Sequence, residues 1–515
     1  MPSLSGLLKH LQSSYFYNYF VGCSKCHKVF NRTNNITDYS GFDTVNWTKR
    51  DGEDHKRLAI KTLDAKTKTI LREMESTEGV RYSELHRLPY YDPVRMHVID
   101  PMHNLLLGLS KHAFETWLEK EILTSDLLEV IEGRIELVKI PSDLGRIPVG
   151  ITKYYKTMKA DEWKHWTLVY SNFCLHGVLP SLEYSVWCIF AKACRILCKQ
   201  FISDEENSQA HDLLVMYCKK FEELYGKKSC VPNMHMSLHI ADCIRDYGPT
   251  YAFWCFSFER FNGLLGKYTV NNHAISVQLM RKFIADKQLL QELPDELKKD
   301  TTNVTSCNAD ALRQLWILRH QQRVKGADLE FLCEFPCTVY FLQTFLKPEC
   351  DEVELLYQKL YKNKDLRLGP FVKRCKRLRL GNEIVAMETS RSTPYSMVLA
   401  RWPDFESQQI ILRPAVITGL YQIKVLFEDD AKTHFLAKVK WLKENQHRHC
   451  FGFSSNLQVW NTDYISQPFS FIPAKFIKGR CVTIKQDIDV TGNGNYPLVD
   501  RVNIIMTLPT RSIIS

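Results

Sequence analysis

Two parts of the chain differ in how their hydrophobic positions repeat. From about residue 103 to 290, apolar residues recur every three or four positions, which predicts amphipathic helices. One such stripe consists of Trp187, Phe190, Cys194, Leu197 and Phe201, and another of Leu213, Leu214, Tyr217, Phe221 and Leu224. We therefore predict a helical region here.

From about residue 383 to the end, apolar and polar residues alternate instead. One strand face would carry Phe435, Ala437, Val439 and Trp441, and the other His434, Lys438 and Lys440. Further short apolar runs at 384–387, 420–427, 457–460, 481–484 and 502–506 are separated by turn residues. Such alternation is typical of half-buried strands, so we predict a small β-rich domain.

Length and composition narrow the class of protein. The 515 residues suffice for two to four domains, and the net charge of +10 favours nucleic acid or an acidic membrane as a partner. Many of the 17 cysteines fall in helical stripes as small apolar residues, which indicates a reducing compartment. Residues 1–22 lack the features of a secretory signal, and no run reaches 18 apolar residues. We expect an intracellular protein, nuclear or cytoplasmic, with no membrane segment.

A basic cluster precedes the alternating region. Its five cations are Lys373, Arg374, Lys376, Arg377 and Arg379. Such a cluster suits phosphate contact or nuclear localisation, and equally a solvated linker.

A C-x-x-C motif near the start places Cys23 and Cys26 at a spacing that lets two thiolates reach one zinc ion. Two further ligands are needed to complete such a site. The loop-like sequence around the motif disfavours a redox dithiol, which usually lies between a strand and a helix. A pair of unligated thiols stays open as an alternative.

The segment 95–118 is a second candidate site. A strand-like MHVI run leads to Asp100, then Pro101 and His103, and then an amphipathic helix. A carboxylate there could hold a divalent metal together with His103. Alternatively Asp100 caps the helix with Pro101 in its first turn, which the local sequence favours.

Residues 232–283 hold two further candidates. Glu259 lies among aromatic residues, so we expect its charge to be buried and to need a partner. His235 and His239 share one helix face and could bind a metal, although histidines on apolar faces are more often core residues.

Together these motifs resemble one protein family. The order of GCSKC, HVIDPMHNLLLG, SDLGRIP, a C-x-PN-x-H-x-x-x-H helix and FWCFSFERFNG over residues 15–285 resembles the C-terminal two-thirds of a CACTA-type DNA transposase. The C-terminal alternating region is similar to the β-domain that follows the catalytic core in animal and fungal members.

The resemblance implies an α+β fold with a partial ribonuclease-H-like core. The expected parts are core over 1–104 with the C-x-x-C and D-x-x-H elements, a helical insertion over 105–250, returning core over 251–300, a helical and basic linker over 301–382, and a β-barrel-like domain over 383–515. Glu259 falls on the family's third catalytic acid. Cys23, Cys26, Asp100 and His103 would complete a zinc site.

The family's two catalytic aspartates precede the C-x-x-C, and residues 1–22 contain no Asp or Glu. One glutamate cannot hold two Mg²⁺ ions, so we expect a truncated, non-catalytic DNA-binding remnant whose exposed core edge is covered by a second copy or a protein partner. One alternative is an active transposase whose missing N-terminus supplies the acids. Another is a scaffold that binds protein through an exposed cage of Trp441, Trp460 and Phe471, although these residues suit a core better.

Overall fold

The computed structural model describes residues 23–33, 36–138, 140, 150–268, 270–271, 273–292, 338–341, 347–362, 364–375, 377–380, 383–388, 395–402, 411–426, 431–451, 456–465, 470–490 and 498–507. The chain divides into two compact units, residues 1–254 together with 331–515, and residues 255–330. Among the described helices, none combines the length and the apolar character needed to cross a membrane.

Helices dominate the first unit up to residue 254. The α-helices are α1 (Gly52–Lys61), α2 (Lys68–Glu78), α3 (Lys111–Glu119), α4 (Ser125–Leu137), α5 (Ile151–Tyr154), α6 (Ala160–His165), α7 (Ser171–Leu175), α8 (Ser181–Leu197), α9 (Asp204–Tyr225), α10 (Pro232–Ser237) and α11 (Ile240–Tyr247). Two π-helical segments, Met102–Ser110 and Trp166–Tyr170, run directly into α3 and α7. The helical region predicted from about residue 103 is confirmed for α3 to α11, whereas α1 and α2 precede it.

The apolar stripes of α8 and α9 form the centre of this helical part. Trp187 and Phe190 of α8 are buried, and Phe190 packs against Tyr217 of α9 with ring centroids 4.7 Å apart. Phe201 departs from its predicted stripe because α8 ends at Leu197, and its side chain is 51% exposed. A capping box between Ser203 and Glu206 then starts α9.

Strands are scarce before residue 338 in the described part of the chain. β1 (Arg32–Thr33) pairs with β2 (Ile36–Thr37) in a short antiparallel hairpin. The MHVI run at 96–99 makes no strand pairing. A ribonuclease-H-like core is built on a larger sheet, so the described residues of 1–104 do not show the partial core that the resemblance implied.

The second unit is described as two helices, α12 (Phe256–Leu265) and α13 (Ile275–Glu292). Both carry exposed apolar side chains, including Phe258, Phe261 and Met280.

The C-terminal part of the first unit is a closed antiparallel β-barrel with one helix. Its elements are β3 (Thr338–Phe341), α14 (Lys347–Tyr361), β4 (Arg367–Cys375), β5 (Arg377–Leu380), β6 (Glu383–Ala386), β7 (Met397–Arg401), β8 (Leu412–Leu426), β9 (Ala431–Glu444), β10 (Leu457–Ile465), β11 (Phe471–Pro473), β12 (Ile477–Val490) and β13 (Leu498–Thr507). Six strands close a ring in the order β7-β8-β9-β10-β13-β12 and back to β7. β4 and β3 extend the sheet from β8, and β11 pairs with β9.

The barrel interior contains the predicted apolar face of β9. Ala437, Val439 and Trp441 are buried there and Phe435 is half-buried against them, which confirms the predicted face. The opposite face is less polar than predicted, because Leu436 and Leu442 are buried as well. Trp441 and Trp460 have no exposed surface and Phe471 has 2%, so they are core residues and the cage alternative is wrong. Strand pairing starts at Thr338, well before the predicted boundary at residue 383.

Candidate metal centre

The C-x-x-C motif forms a tight turn that is held by an arginine. Arg50 donates from Nε to the carbonyl oxygens of Cys23 at 2.8 Å and Cys26 at 3.3 Å. Cys26 forms an isolated antiparallel bridge with Lys49, and the backbone N–H of Lys25 donates to Cys23 Sγ at 3.3 Å. These contacts fix both cysteines against the backbone of residues 49–50.

His235 and His239 lie where α10 passes into α11. Pro232 stands in the first turn of α10, where a missing N–H costs no helical bond. The N–H of His239 donates to the carbonyl of Met236 at 3.0 Å, closing a tight turn between the two helices. Both imidazoles are buried, with ring centroids 5.1 Å apart.

The fold brings the two pairs together. His239 Nε2 lies 3.5 Å from Cys23 Sγ, and His235 Nε2 lies 3.4 Å from Cys26 Sγ. The two Nε2 atoms are 3.4 Å apart, and all four ligand atoms lie within 4.8 Å of one another. In a tetrahedral site, zinc bond lengths of about 2.3 Å to sulfur and about 2.0 Å to nitrogen separate a sulfur from a nitrogen by about 3.5 Å and the two nitrogens by about 3.3 Å. The group therefore fits one tetrahedral ion, with zinc the metal that this ligand set favours.

The same geometry indicates a structural centre. Two thiolates and two neutral imidazoles balance the charge of Zn²⁺, so the filled site can be buried without a net charge. Four protein ligands leave no position open for water or a substrate. A two-iron cluster with separate cysteine-bound and histidine-bound irons would need the two pairs farther apart.

The two cysteines differ in how readily they lose a proton when no metal is bound. Burial alone would raise the pKa of Cys23, but a hydrogen bond from Cys26 and the nearby imidazoles of His239 and His235 lower it well below its usual range. The pKa of Cys26 is raised, first by that hydrogen bond to Cys23 and then by burial. Burial lowers the pKa of His235, which keeps its imidazole neutral and able to bind a metal.

Aromatic side chains enclose the group. Trp47 covers both imidazoles, with ring centroids 4.3 Å from His235 and 5.8 Å from His239. Phe30 meets His235 edge-on at 5.0 Å. The exposed fraction of all four candidate ligands is 5% or less, so bulk water does not reach them.

Asp100 and His103 take another role and are not grouped with the two cysteines. The buried carboxylate of Asp100 accepts hydrogen bonds from the backbone N–H groups of Met102 and His103, both at 3.1 Å. It also pairs with Nδ1 of His103. The predicted four-ligand set is thus corrected in its second half, because these contacts use Asp100 as the helix cap that the local sequence favoured.

Glu259 also differs from expectation. It lies on α12 with its side chain exposed, and the neighbouring Phe258 and Phe261 are 49% and 53% exposed. The expected burial of this carboxylate is wrong, because these aromatic rings do not enclose it. Its charge needs no partner for stability.

Strand geometry divides the basic cluster. Lys373 and Arg374 are exposed neighbours on β4, and successive strand residues point to opposite faces. Arg377 and Arg379 lie on β5, in a separate two-stranded hairpin with β6, where both are half-buried. Lys376 lies outside the described residues. The four described cations therefore do not form one continuous surface, and they lie on paired strands instead of in a linker.

The sequence contained a signal for the histidine pair. The i, i+4 spacing of His235 and His239 marked a half-site, as did the C-x-x-C spacing, but the two half-sites are 209 to 216 residues apart. Local patterns give no information about pairing at that separation. Comparison with known proteins adds nothing to this assignment, since no family model, curated protein or solved structure matches the chain.

Proposed function

We propose that this chain is a zinc-containing, DNA-binding protein of CACTA-type transposase ancestry that does not itself cleave DNA. The observation that carries the proposal is the meeting of Cys23 and Cys26 with His235 and His239. The GCSKC motif and the C-x-PN-x-H-x-x-x-H helix are two of the elements on which the resemblance depends. Their convergence on one ion supports treating them as parts of one inherited unit.

The zinc would act as a cross-link. It ties the turn at residues 23–26 to the junction of α10 and α11, and thereby fastens residues 23–50 to the helical part. Lys49 adds an ion pair to Asp242 of α11 at 2.9 Å across the same junction. The lysine of that pair is 70% exposed, so the pair contributes little, and the metal would add to the packing of Trp47 and Phe30 on the two imidazoles.

Absence of cleavage is supported by the acids that the resemblance assigns. Two-metal phosphoryl transfer needs several carboxylates to neutralise and place the ions. Glu259 is the one family acid that the resemblance locates in this chain, and its exposed position on α12 suits a residue without a metal to hold. Mg²⁺ would enter the function only if other carboxylates joined Glu259 in holding it.

The case for DNA rests on charge. The net charge of +10 favours binding to a polyanion, and exposed Lys373 and Arg374 present cations on both faces of β4. Binding of this kind is sequence-indifferent and weakens steeply with salt.

Three measurements on the full chain test the proposal. Elemental analysis should find about one zinc per chain, fluorescence anisotropy should show salt-dependent binding to duplex DNA, and incubation with Mg²⁺ or Mn²⁺ should leave supercoiled plasmid intact. Metal-dependent nicking that disappears in Glu259→Gln would restore the active-transposase alternative. No DNA binding at low salt would favour a protein scaffold instead, and protein without zinc would remove the metal from the proposal.

A further inference from the structure

A lysine beside the metal group is engaged in an unusual number of contacts. Lys28 lies two residues after Cys26, and its ammonium donates to the carbonyl oxygens of Ser40, at 2.7 Å, and Gly41. The same ammonium lies over three aromatic rings, with centroid distances of 5.4 Å to Phe30, 5.4 Å to Phe42 and 4.8 Å to Trp47. An ammonium between rings and carbonyls is strongly held, since both kinds of partner favour its charge.

All of these contacts except that to Phe30 involve one segment, residues 38–47, which we term the cover. Trp47, at its end, is the residue that shields both imidazoles. Val45, near its middle, is 91% exposed, so the cover has solvent on its outer side. It separates the buried ligands from water.

The cover is held to its surroundings mainly by side chains. Tyr39 packs on Phe30 with ring centroids 5.1 Å apart, and Phe42 is 2% exposed. The N–H of Asp38 donates to the carbonyl of Asn31 at 2.8 Å, and the N–H of Gly41 donates to the carboxylate of Glu222 on α9 at 2.9 Å. Gly41 has a φ of 80°, a left-handed conformation that glycine adopts without strain. The only regular element within the cover is one 3-10 turn at Thr44–Asn46, so its backbone is not part of a longer hydrogen-bonded helix or sheet.

The other sides of the site are held more firmly. The cysteine turn is fixed by Arg50, and Lys25 donates to the carbonyl oxygen of Val94 behind it. α10 and α11 pack into the helical part, where Met234 and Ile240 have no exposed surface. A metal ion that enters or leaves must displace one of these walls, and the cover is a loop with solvent on its outer side.

We propose that the cover is the path for metal exchange and that Lys28 is its latch, a positioning residue that sets how long zinc is retained. This inference rests on the proposed zinc site and concerns the rate at which zinc enters and leaves it. When the Lys28 ammonium leaves its carbonyls and rings, Trp47 can swing away from His235 and expose the ion. The backbone N–H of Lys28 hydrogen-bonds the sulfur of Cys26, and Lys28→Met keeps that backbone group. Removal of the ammonium alone should therefore change the rate of zinc release more than the zinc content.

The test is zinc release from the full-length protein to an excess of a coloured chelator. Lys28→Met keeps most of the apolar stem and removes the charge and its hydrogen bonds, so release should become about 10-fold to 100-fold faster at unchanged stoichiometry. The matched control is Lys56→Met, since Lys56 also donates to a backbone carbonyl, that of Leu88 at 3.1 Å, in contacts that do not include the cover. The control should release zinc at the rate of the unaltered protein.

A second variant avoids dependence on one substitution. Gly41→Ala leaves Lys28 in place and strains the cover at its left-handed position, so it should also speed release, by about 3-fold to 10-fold. If both variants hold one zinc per chain and release it at the rate of the unaltered protein, the proposed role of Lys28 in zinc retention is refuted, whereas the zinc site itself is not. Protein that binds no zinc would instead overturn the site itself.

Discussion

Replacing one zinc ligand, as in Cys26→Ser, should detach the N-terminal segment from the helical part. A serine hydroxyl is close in size to the thiol but is a poor zinc ligand, so the site would keep only three of its four ligands. A zinc ion bound by Cys26 and His235 would close a loop with a sequence separation of 209 residues. The chain-entropy relation for a cross-link of that length gives about 5 kcal/mol of unfolding free energy.

Some of that free energy is offset by structure that persists without metal, such as the contacts of Arg50. We therefore expect Cys26→Ser to lower the unfolding free energy by about 3–5 kcal/mol in the presence of zinc, and zinc content to fall well below one per chain. Urea unfolding with and without chelator measures the first quantity, and elemental analysis the second. In the variant, chelator should have almost no further effect on the urea midpoint.

Two control variants make this test specific. Cys218→Ser alters a fully buried cysteine of α9 outside the ligand group, and should cost stability while zinc stays bound. Asp100→Asn removes the carboxylate charge of the helix cap and should also leave one zinc per chain. If Asp100→Asn lost zinc while Cys26→Ser kept it, the assignment of His235 and His239 as ligands would be refuted. A spectrum of tetrahedral Co²⁺ with thiolate charge transfer, absent from Cys26→Ser, would support the assignment independently.

Three further outcomes are expected. Burial, with nearby Arg50, lowers the pKa of His55 to about 3, and burial, with Lys25, lowers that of His97 to about 4. Both imidazoles stay neutral in the folded protein, whereas the unfolded chain takes up protons below about pH 6.5. The free energy of unfolding should therefore fall as pH falls below that value, by about 2 kcal/mol per histidine at pH 5. Urea unfolding of His55→Leu should show a smaller loss, and a loss equal to that of the unaltered protein would contradict the lowered pKa of His55. Replacing Lys373 and Arg374 together by alanine should reduce the number of counterions released on DNA binding by about one, because one duplex can contact only one face of β4. This number is the slope of log affinity against log salt concentration, and an unchanged slope would place the DNA contact elsewhere. Glu259→Gln should leave stability within about 0.5 kcal/mol in thermal unfolding because the side chain is exposed, whereas a large change would mean that the carboxylate has a buried role.

Periodicity predicted the elements in which one face carries most of the apolar residues. The stripe on α8 and the alternation along β9 both marked a face that is buried in the structure, although Leu436 and Leu442 on the other face of β9 are buried as well. The same reasoning placed Phe201 in a helix that has already ended, because an apolar residue after a helix looks the same as one within it. It also missed the strand character of β4, where the charged neighbours Lys373 and Arg374 conceal the buried positions Val372 and Cys375.

The candidate site shows a different limit of sequence reasoning. Cys23 with Cys26, and His235 with His239, are each half of a tetrahedron, and each half is recognisable from its spacing alone. Asp100 and His103 form a third recognisable pair, and the local sequence does not indicate which two of the three pairs bind the same metal ion. The choice depends on hydrogen bonding elsewhere, since a carboxylate that accepts two backbone N–H groups at a helix start has already satisfied its charge. The buried imidazoles of His235 and His239 instead face the sulfurs of Cys26 and Cys23, with Nε2–Sγ distances of 3.4 Å and 3.5 Å. These four atoms could hold one metal ion, and for that reason we pair these two half-sites, although they are the more distant in sequence.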